Sequence, residues 1–291
     1  MNIVFLSSGR SGFGRLAVGC SLVTALRRNG VVHAFHTIAA HEFLPLLDRL
    51  GIAHTSMPFA PEPGTAEARQ RNDELLRLIE GLRPDVLVVG QAWYDAHPIL
   101  AQLKCRKVVL FFQASAGYFR IPTAKGDMVF DPNEYDLVCG IEPWEWPIPC
   151  KVIEPMVLRN HDEIPSREDA ACALGIDSER PTALVATNGL PGEFDDLRQL
   201  YSYLEDEYQV VYSTNYADGL YPAVDYFNAF DFIACAGGYS AFWEAVYFRK
   251  DTVFVPQLRN YEDQAWRINN CQEYEFTRNG ADQLVELLLD L

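Results

Sequence analysis

The chain has 291 residues, of which 49% are hydrophobic and 22% charged, a balance that excludes disordered, collagenous and low-complexity classes and suits one large domain or two ordinary ones. Its 24 Lys+Arg face 40 Asp+Glu for a net charge of −16, and such a surface repels phosphodiester backbones, so a general nucleic-acid binder is excluded. No apolar run approaches the ~18 residues of a membrane span, the first residues lack the basic start and long apolar stretch of a secretory leader, and seven cysteines without a C-x-x-C pair argue against a disulfide framework or a zinc site, so a reducing cytoplasm is the expected compartment.

Short apolar runs alternate with segments of helical period. A buried strand is expected over 2–7, running into Ser8-Gly9-Arg10-Ser11-Gly12-Phe13-Gly14 and a helix that closes at Asn29-Gly30. Strands follow at 31–38, 55–59, 85–90, 107–112, 135–140 and 151–154, with helices at 41–50, 66–82 and 96–103. Runs buried on both faces and linked by helices indicate a parallel sheet. After a polar segment, 159–165, the alternation restarts. Ser166 with Asp169 reads as a helix cap, strands are expected at 182–187, 209–213, 232–235 and 252–255, and helices at 194–207, 221–229, 240–248, 263–272 and 283–291. Residues 1–158 hold 15 basic and 16 acidic side chains, whereas residues 159–291 hold 9 and 24. The expected fold is therefore α/β, with two doubly wound Rossmann-like domains, 1–158 and 159–291, facing a central cleft. In such sheets ligands bind outside the carboxyl ends of the strands.

Two loops at those ends stand out. In the first, Gly12, Phe13, Gly14 and Arg15 open a helix; glycine permits close backbone approach, and a helix start offers unpaired N–H groups to an anion. A tight turn without a ligand is the alternative, and no acidic residue near Ile38 is placed to hold the ribose of a dinucleotide. The second, Ala236-Gly237-Gly238-Tyr239-Ser240, leaves a strand and enters a helix, with Ser240 expected at the N-cap and Glu244 one turn on, on the same face. Ser240 and the N–H groups of that turn suit phosphate oxygens, and Glu244 suits a ribose hydroxyl beside them. Taken alone, Glu244 reads as a solvated helix carboxylate. A further strand, Pro256-Gln257 and Glu262-Asp263-Gln264 follow.

Together these residues resemble the donor half of the GT-B nucleotide-sugar glycosyltransferases, in particular the family that adds N-acetylglucosamine to lipid-linked peptidoglycan precursors and its small relatives that hydrolyse nucleotide sugars. The likeness covers about residues 225–270 and, more loosely, the N-terminal glycine loop. It implies that Gly237, Gly238 and Ser240 hold a diphosphate, Glu244 the ribose, Asp263 and Gln264 the sugar hydroxyls, and Asn188-Gly189 a second phosphate loop, with Gln257 also in the donor-binding set. It further implies an inverting, metal-independent transfer from a UDP- or dTDP-sugar to a small-molecule or lipid-linked acceptor. The nucleotide sugar is then a co-substrate, and no cofactor is called for. Nucleotide-sugar hydrolysis and binding without turnover are the alternatives. Two departures stand out: the family often has His after the glycines where this chain has Arg15, and the family's long C-terminal helix returning to the first domain is expected to be short or missing. Asp95 and His97 are candidates for base and orienter, with helix capping the competing role for Asp95. The polar segment 159–165 is expected to act as a hinge that closes the cleft.

Overall fold

The computed structural model describes residues 1–7, 13–31, 34–41, 44–58, 61, 65–123, 126–190, 192–214 and 219–291. The first half is built on β1 (Asn2–Ser7), β2 (Ala34–Ala39), β3 (Ala53–Ser56), β4 (Val86–Gly90), β5 (Arg106–Phe111), β8 (Leu137–Gly140) and β9 (Lys151–Val152), which form a seven-stranded sheet in the order β3-β2-β1-β4-β5-β8-β9. Each neighbouring pair is parallel. Its helices are α1 (Gly14–Arg28), α2 (Leu44–Arg49), α3 (Ala66–Leu82) and the single turn α4 (Trp93–Ala96). The central strands β1 and β4 are buried on both faces, which is what their unbroken apolar runs require. The helix expected over 96–103 is instead α4 followed by a 3₁₀ turn at Leu100–Gln102, because Pro98 between them has no N–H to continue the ladder. The antiparallel hairpin of β6 (Arg120–Thr123) and β7 (Gly126–Val129) was not expected from the sequence. At the sheet edge β9 is only two residues long: the next residue but one, Glu154, donates its N–H to Gln283 Oε1 at 2.9 Å and so leaves the sheet for the second half.

The second half carries β10 (Thr182–Thr187), β11 (Gln209–Thr214), β12 (Phe232–Ala236) and β13 (Thr252–Val255) in a parallel sheet of order β11-β10-β12-β13. Around it lie α5 (Arg167–Leu174), α6 (Glu193–Leu200), α7 (Tyr239–Tyr247), α8 (Gln264–Cys271) and α9 (Gly280–Leu289). Ser166 caps α5 as expected, its side chain accepting from the Asp169 N–H. The helix expected over 194–207 stops at Leu200 and becomes a 3₁₀ turn, where the Ser202 hydroxyl bonds the Gln199 carbonyl at 3.0 Å and competes with the helical ladder. The helix expected over 221–229 is a 3₁₀ helix, Ala223–Ala229.

The two halves share one core. Val18, Leu22, Ala25 and Leu26 of α1 pack with Ala281, Leu284, Val285 and Leu288 of α9 and with Phe242 and Trp243 of α7. The C-terminal helix is thus short but does return to the first half. Polar groups bolt the same face: the Arg28 guanidinium forks onto Asp282 Oδ1 at 2.8 and 3.1 Å, and the Tyr239 hydroxyl donates to the Ile141 carbonyl at 3.0 Å while accepting the Met156 N–H at 2.8 Å. Gly280 lies so close to the segment joining the halves that a Cβ there would stand 1.7 Å from the Glu154 carbonyl oxygen. Segment 159–165 is drawn into this contact, with Glu163 on Arg28 at 2.5 Å and Asn160 on Asp282 at 3.2 Å. The expected hinge is therefore clamped, because domain motion is the default only where the interface is small and polar.

Candidate functional site

A cavity of about 520 Å³ opens between the halves where the carboxyl ends of both sheets meet. The first half contributes the start of α1 with Phe13, Gly14 and Arg15, then Gln91 after β4, and Phe112, Gln113 and Tyr118 after β5. The second half contributes Asn188 and Gly189 after β10, Gly238, Ser240 and Glu244 around the start of α7, and the loop that runs from Leu258 to Gln264. Of the first glycine loop, Gly12 lies outside the described residues together with the rest of 8–12.

The α7 start faces this space. Gly238, extended at φ −65° and ψ 154°, is its N-cap and offers no side chain to the first N–H groups. Ser240 is accordingly the second residue of the helix rather than its cap, which adds a hydroxyl to an uncapped helix start, the arrangement that suits an anion. Gly237 is not on the cavity wall: a Cβ there would stand 2.8 Å from Ile268 Cδ1, so its missing side chain lets α8 pack close, and its carbonyl accepts from Arg267 at 2.9 Å. Glu244 lines the cavity one turn deeper and is half-buried. Burial, and then the charge of Asp225, push its carboxyl up to about 8, against the opposing pull of the Leu158 N–H and Arg159.

The rest of the expected donor motif is turned inward. Gln257 donates its N–H to Gln264 Oε1 at 2.9 Å and does not line the cavity. Asp263 caps α8, accepting the Trp266 N–H at 2.9 Å, and also stays off the wall. Gln264 does reach the wall although it is nearly fully buried. At the second loop, Asn188 accepts from the Tyr221 hydroxyl at 3.3 Å. The Glu193 carboxylate covers Gly189, accepts the Leu190 N–H at 2.8 Å and takes a fork from Arg259 at 2.7 and 2.9 Å. Burial works to raise the Glu193 pKa, but Arg259 and that N–H outweigh it and hold it below the usual carboxylate range.

On the opposite wall Arg15 bonds the Tyr94 hydroxyl at 3.4 Å. Burial works to strip its proton, but Tyr118, Tyr94 and the charge of Asp95 prevail and its pKa is raised, so it stays a cation. Asp95 itself is 2% exposed, pairs with Arg71 Nη2 at 3.0 Å and does not reach the cavity. His97 pairs with Glu134 at 2.8 Å and is equally absent from the wall. Both candidates for a base are thus drawn away by partners on α3 and beside β8. Among the described residues, the first half sets no carboxylate or imidazole on the cavity wall, and residues 8–12 read Ser-Gly-Arg-Ser-Gly. Nor do the described residues bring three His, Cys, Asp or Glu side chains together as a metal site, and no helix among them is long and apolar enough to cross a membrane.

Sequence reading missed the residues that brace the site. Glu142, 1% exposed, accepts the Arg267 fork at 2.8 and 2.9 Å, the Trp243 Nε1–H at 3.0 Å and the Gln113 N–H. Arg267 also reaches Glu262 at 2.5 Å. The available signal was a Glu directly after an apolar strand run, at Ile141-Glu142, and a cation in a helix of the acidic half.

No protein-family model matches the sequence, and no curated protein does. Solved structures match along the whole chain. The glycosyltransferase VinC in complex with dTDP aligns with a TM-score of 0.62 at 12% identity, over 99% of this chain and 90% of that one. The spinosyn forosaminyltransferase SpnP gives 0.60 at 15% identity, over 100% and 90%. The spinosyn rhamnosyltransferase SpnG complexed with thymidine diphosphate gives 0.57 at 15%, over 100% and 92%. The fold shared with these glycosyltransferases is the GT-B arrangement of two Rossmann-like halves across a cleft, as the sequence led one to expect.

Proposed function

We propose that the protein is an enzyme that transfers a sugar from a nucleoside-diphosphate donor, UDP- or dTDP-linked, to a small-molecule or lipid-linked acceptor. The observation that carries this reading is the uncapped start of α7 at Gly238 and Ser240, aimed into a cavity with Glu244 one turn deeper. A diphosphate fits the N–H groups and the helix dipole, and a ribose hydroxyl fits Glu244. The fold shared with VinC and SpnG, both complexed with thymidine diphosphate, supports the same class of donor. At the mouth Leu190 and the 97% exposed Leu258 form an apolar rim that suits an acceptor with an apolar face.

The reaction is a single in-line displacement with inversion. The acceptor oxygen bonds the anomeric carbon as the bond from that carbon to the phosphate oxygen breaks, and the electron pair leaves with the diphosphate. Developing charge on the diphosphate is met by the α7 start and by cationic Arg15, so no metal is required. With neither Asp95 nor His97 on the wall, the acceptor proton passes to water or to a wall carboxylate of the second half, Glu244 or Glu262. That the two expected bases, Asp95 and His97, stay off the wall favours a second reading, nucleotide-sugar binding without turnover. Labelled UDP- and dTDP-sugars decide: glycosylated acceptor supports transfer, free sugar shows hydrolysis, and bound but unchanged donor supports the second reading. A cytoplasmic location goes with either.

Three results are expected. Ser240→Ala weakens UDP or dTDP binding by about 1–3 kcal/mol, the worth of a hydrogen bond to a charged group, and calorimetry showing unchanged affinity would remove Ser240 from the site. Arg15→Ala raises the KM for donor or acceptor while Arg15→Lys keeps part of the activity; steady-state constants equal to wild type would make the α1 start purely structural. Small-angle scattering gives the same radius of gyration with and without saturating nucleotide, since α1, α7 and α9 share a core, and a contraction on binding would show that this interface slides.

A further inference from the structure

Gln113 stands at the end of β5, on the cavity wall, and is 1% exposed. Its backbone N–H is spent on Glu142, and its Oε1 accepts the Asp263 N–H across the interface at 2.8 Å. That second bond fixes which end of the amide is which, since only the oxygen can accept. The Nε2 group, with two N–H bonds, is buried and has no partner among the described residues. The chain around it is pinned: Ser115 N–H donates to the Tyr261 carbonyl at 2.9 Å, and Trp144 Nε1–H to the Ala114 carbonyl at 3.3 Å. The preceding residue, Phe112, stacks on Tyr239, the first residue of α7, with ring centroids 5.2 Å apart. A buried polar group is almost always satisfied in a native protein, and one held rigidly without a partner beside a cavity marks the place of a missing acceptor.

We propose that Gln113 Nε2 donates a hydrogen bond to an oxygen at the sugar–diphosphate junction of the bound donor. This inference rests on the donor reading of the cavity and deepens it: the first half then selects the donor directly, through a residue already bonded to the donor half. Asp263, which the family resemblance makes a sugar ligand, instead holds the Gln113 amide in place. The oxygen belongs either to the diphosphate or to a sugar hydroxyl, and the two are separable.

The test uses Gln113→Glu, which keeps an oxygen for the Asp263 N–H and removes both donors, and Gln113→Met, which keeps the length and removes all polar atoms. Affinities for UDP, dTDP, UDP-glucose and dTDP-glucose are measured by calorimetry, alongside the melting temperature of each unliganded protein. A roughly tenfold or greater loss in Gln113→Met, with a melting temperature like wild type, supports the proposal. Loss for all four ligands assigns the bond to a phosphate oxygen, and loss confined to the two glucose donors assigns it to a sugar hydroxyl. Wild-type affinity in both variants overturns the inference and leaves the donor reading intact. A lowered melting temperature with unchanged affinity makes Gln113 a prop between the halves and likewise overturns it. If the wild-type protein binds none of the four, the donor reading fails and this inference fails with it.

Discussion

Arg267→Ala lowers the stability of the protein by about 3–5 kcal/mol, the usual cost of breaking a buried ion pair from one side. Arg267 is 0% exposed and is held by both oxygens of Glu142, by Glu262 and by the Gly237 carbonyl. Burial works against its charge, yet the two carboxylates prevail and raise its pKa. Truncation leaves Glu142 as an unpaired buried carboxylate, and this outweighs the lost contacts themselves. The paired replacement, Arg267→Met with Glu142→Leu, is therefore expected to be less damaging than Arg267→Ala alone. It does not reach wild type, because the Trp243 Nε1–H and the Gln113 N–H then lose their acceptor. Urea unfolding of the three variants reads this order. Arg267→Ala within about 1 kcal/mol of wild type, at the level of a surface ion pair, would mean that the network does not hold the halves together.

Glu244 makes stability fall as pH rises. Its carboxyl, pushed up to about 8 by burial and by Asp225, keeps its proton in the folded protein at pH values where an unfolded glutamate has lost it. The folded state then binds more protons, so the contribution is fully present below the unfolded pKa of about 4.3 and is lost as pH climbs through about 8. Glu244→Gln, which mimics the protonated form, abolishes this slope and is more stable than wild type above pH 8 in denaturant melts. The same change weakens nucleotide binding if the ribose needs the ionised carboxylate and spares it if the protonated group suffices. A wild-type slope that survives in Glu244→Gln would assign the titration to another group.

Much of this architecture could be read from spacing. Unbroken apolar runs at Ile3–Leu6 and Val86–Val89, each followed by a loop and a helix, place the parallel strands and hence the carboxyl-end cleft. Gly238-x-Ser240 with Glu244 at helical spacing places the start of α7 that lines the cavity. What was hidden depends on pairs far apart in the chain. Nothing local says that Glu142 and Arg267, or Gln113 and Asp263, meet, because each is a single polar residue whose partner is supplied only by folding. The cap of α7 was misplaced by two residues because serine is the favoured N-cap, whereas an extended Gly238 leaves the helix to begin at Tyr239. Asp95 illustrates the reverse error: a loop carboxylate at a strand end has the right chemistry for a base, and only the position of Arg71 on α3 shows where it points.

The Tyr239 hydroxyl, wedged between the Ile141 carbonyl and the Met156 N–H, bears on how such proteins can be recombined. Exchanging one half of this fold for another treats the two Rossmann units as interchangeable cassettes. In this chain a splice at 158/159 severs the first residue of α7 from both of its anchors, and parts Glu142 from Arg267 and α1 from α9. A graft that keeps these contacts has to carry 141–142 and 153–158 along with the second unit and to import a matching α1. The natural seam for engineering lies inside the first unit rather than in the polar stretch between the two.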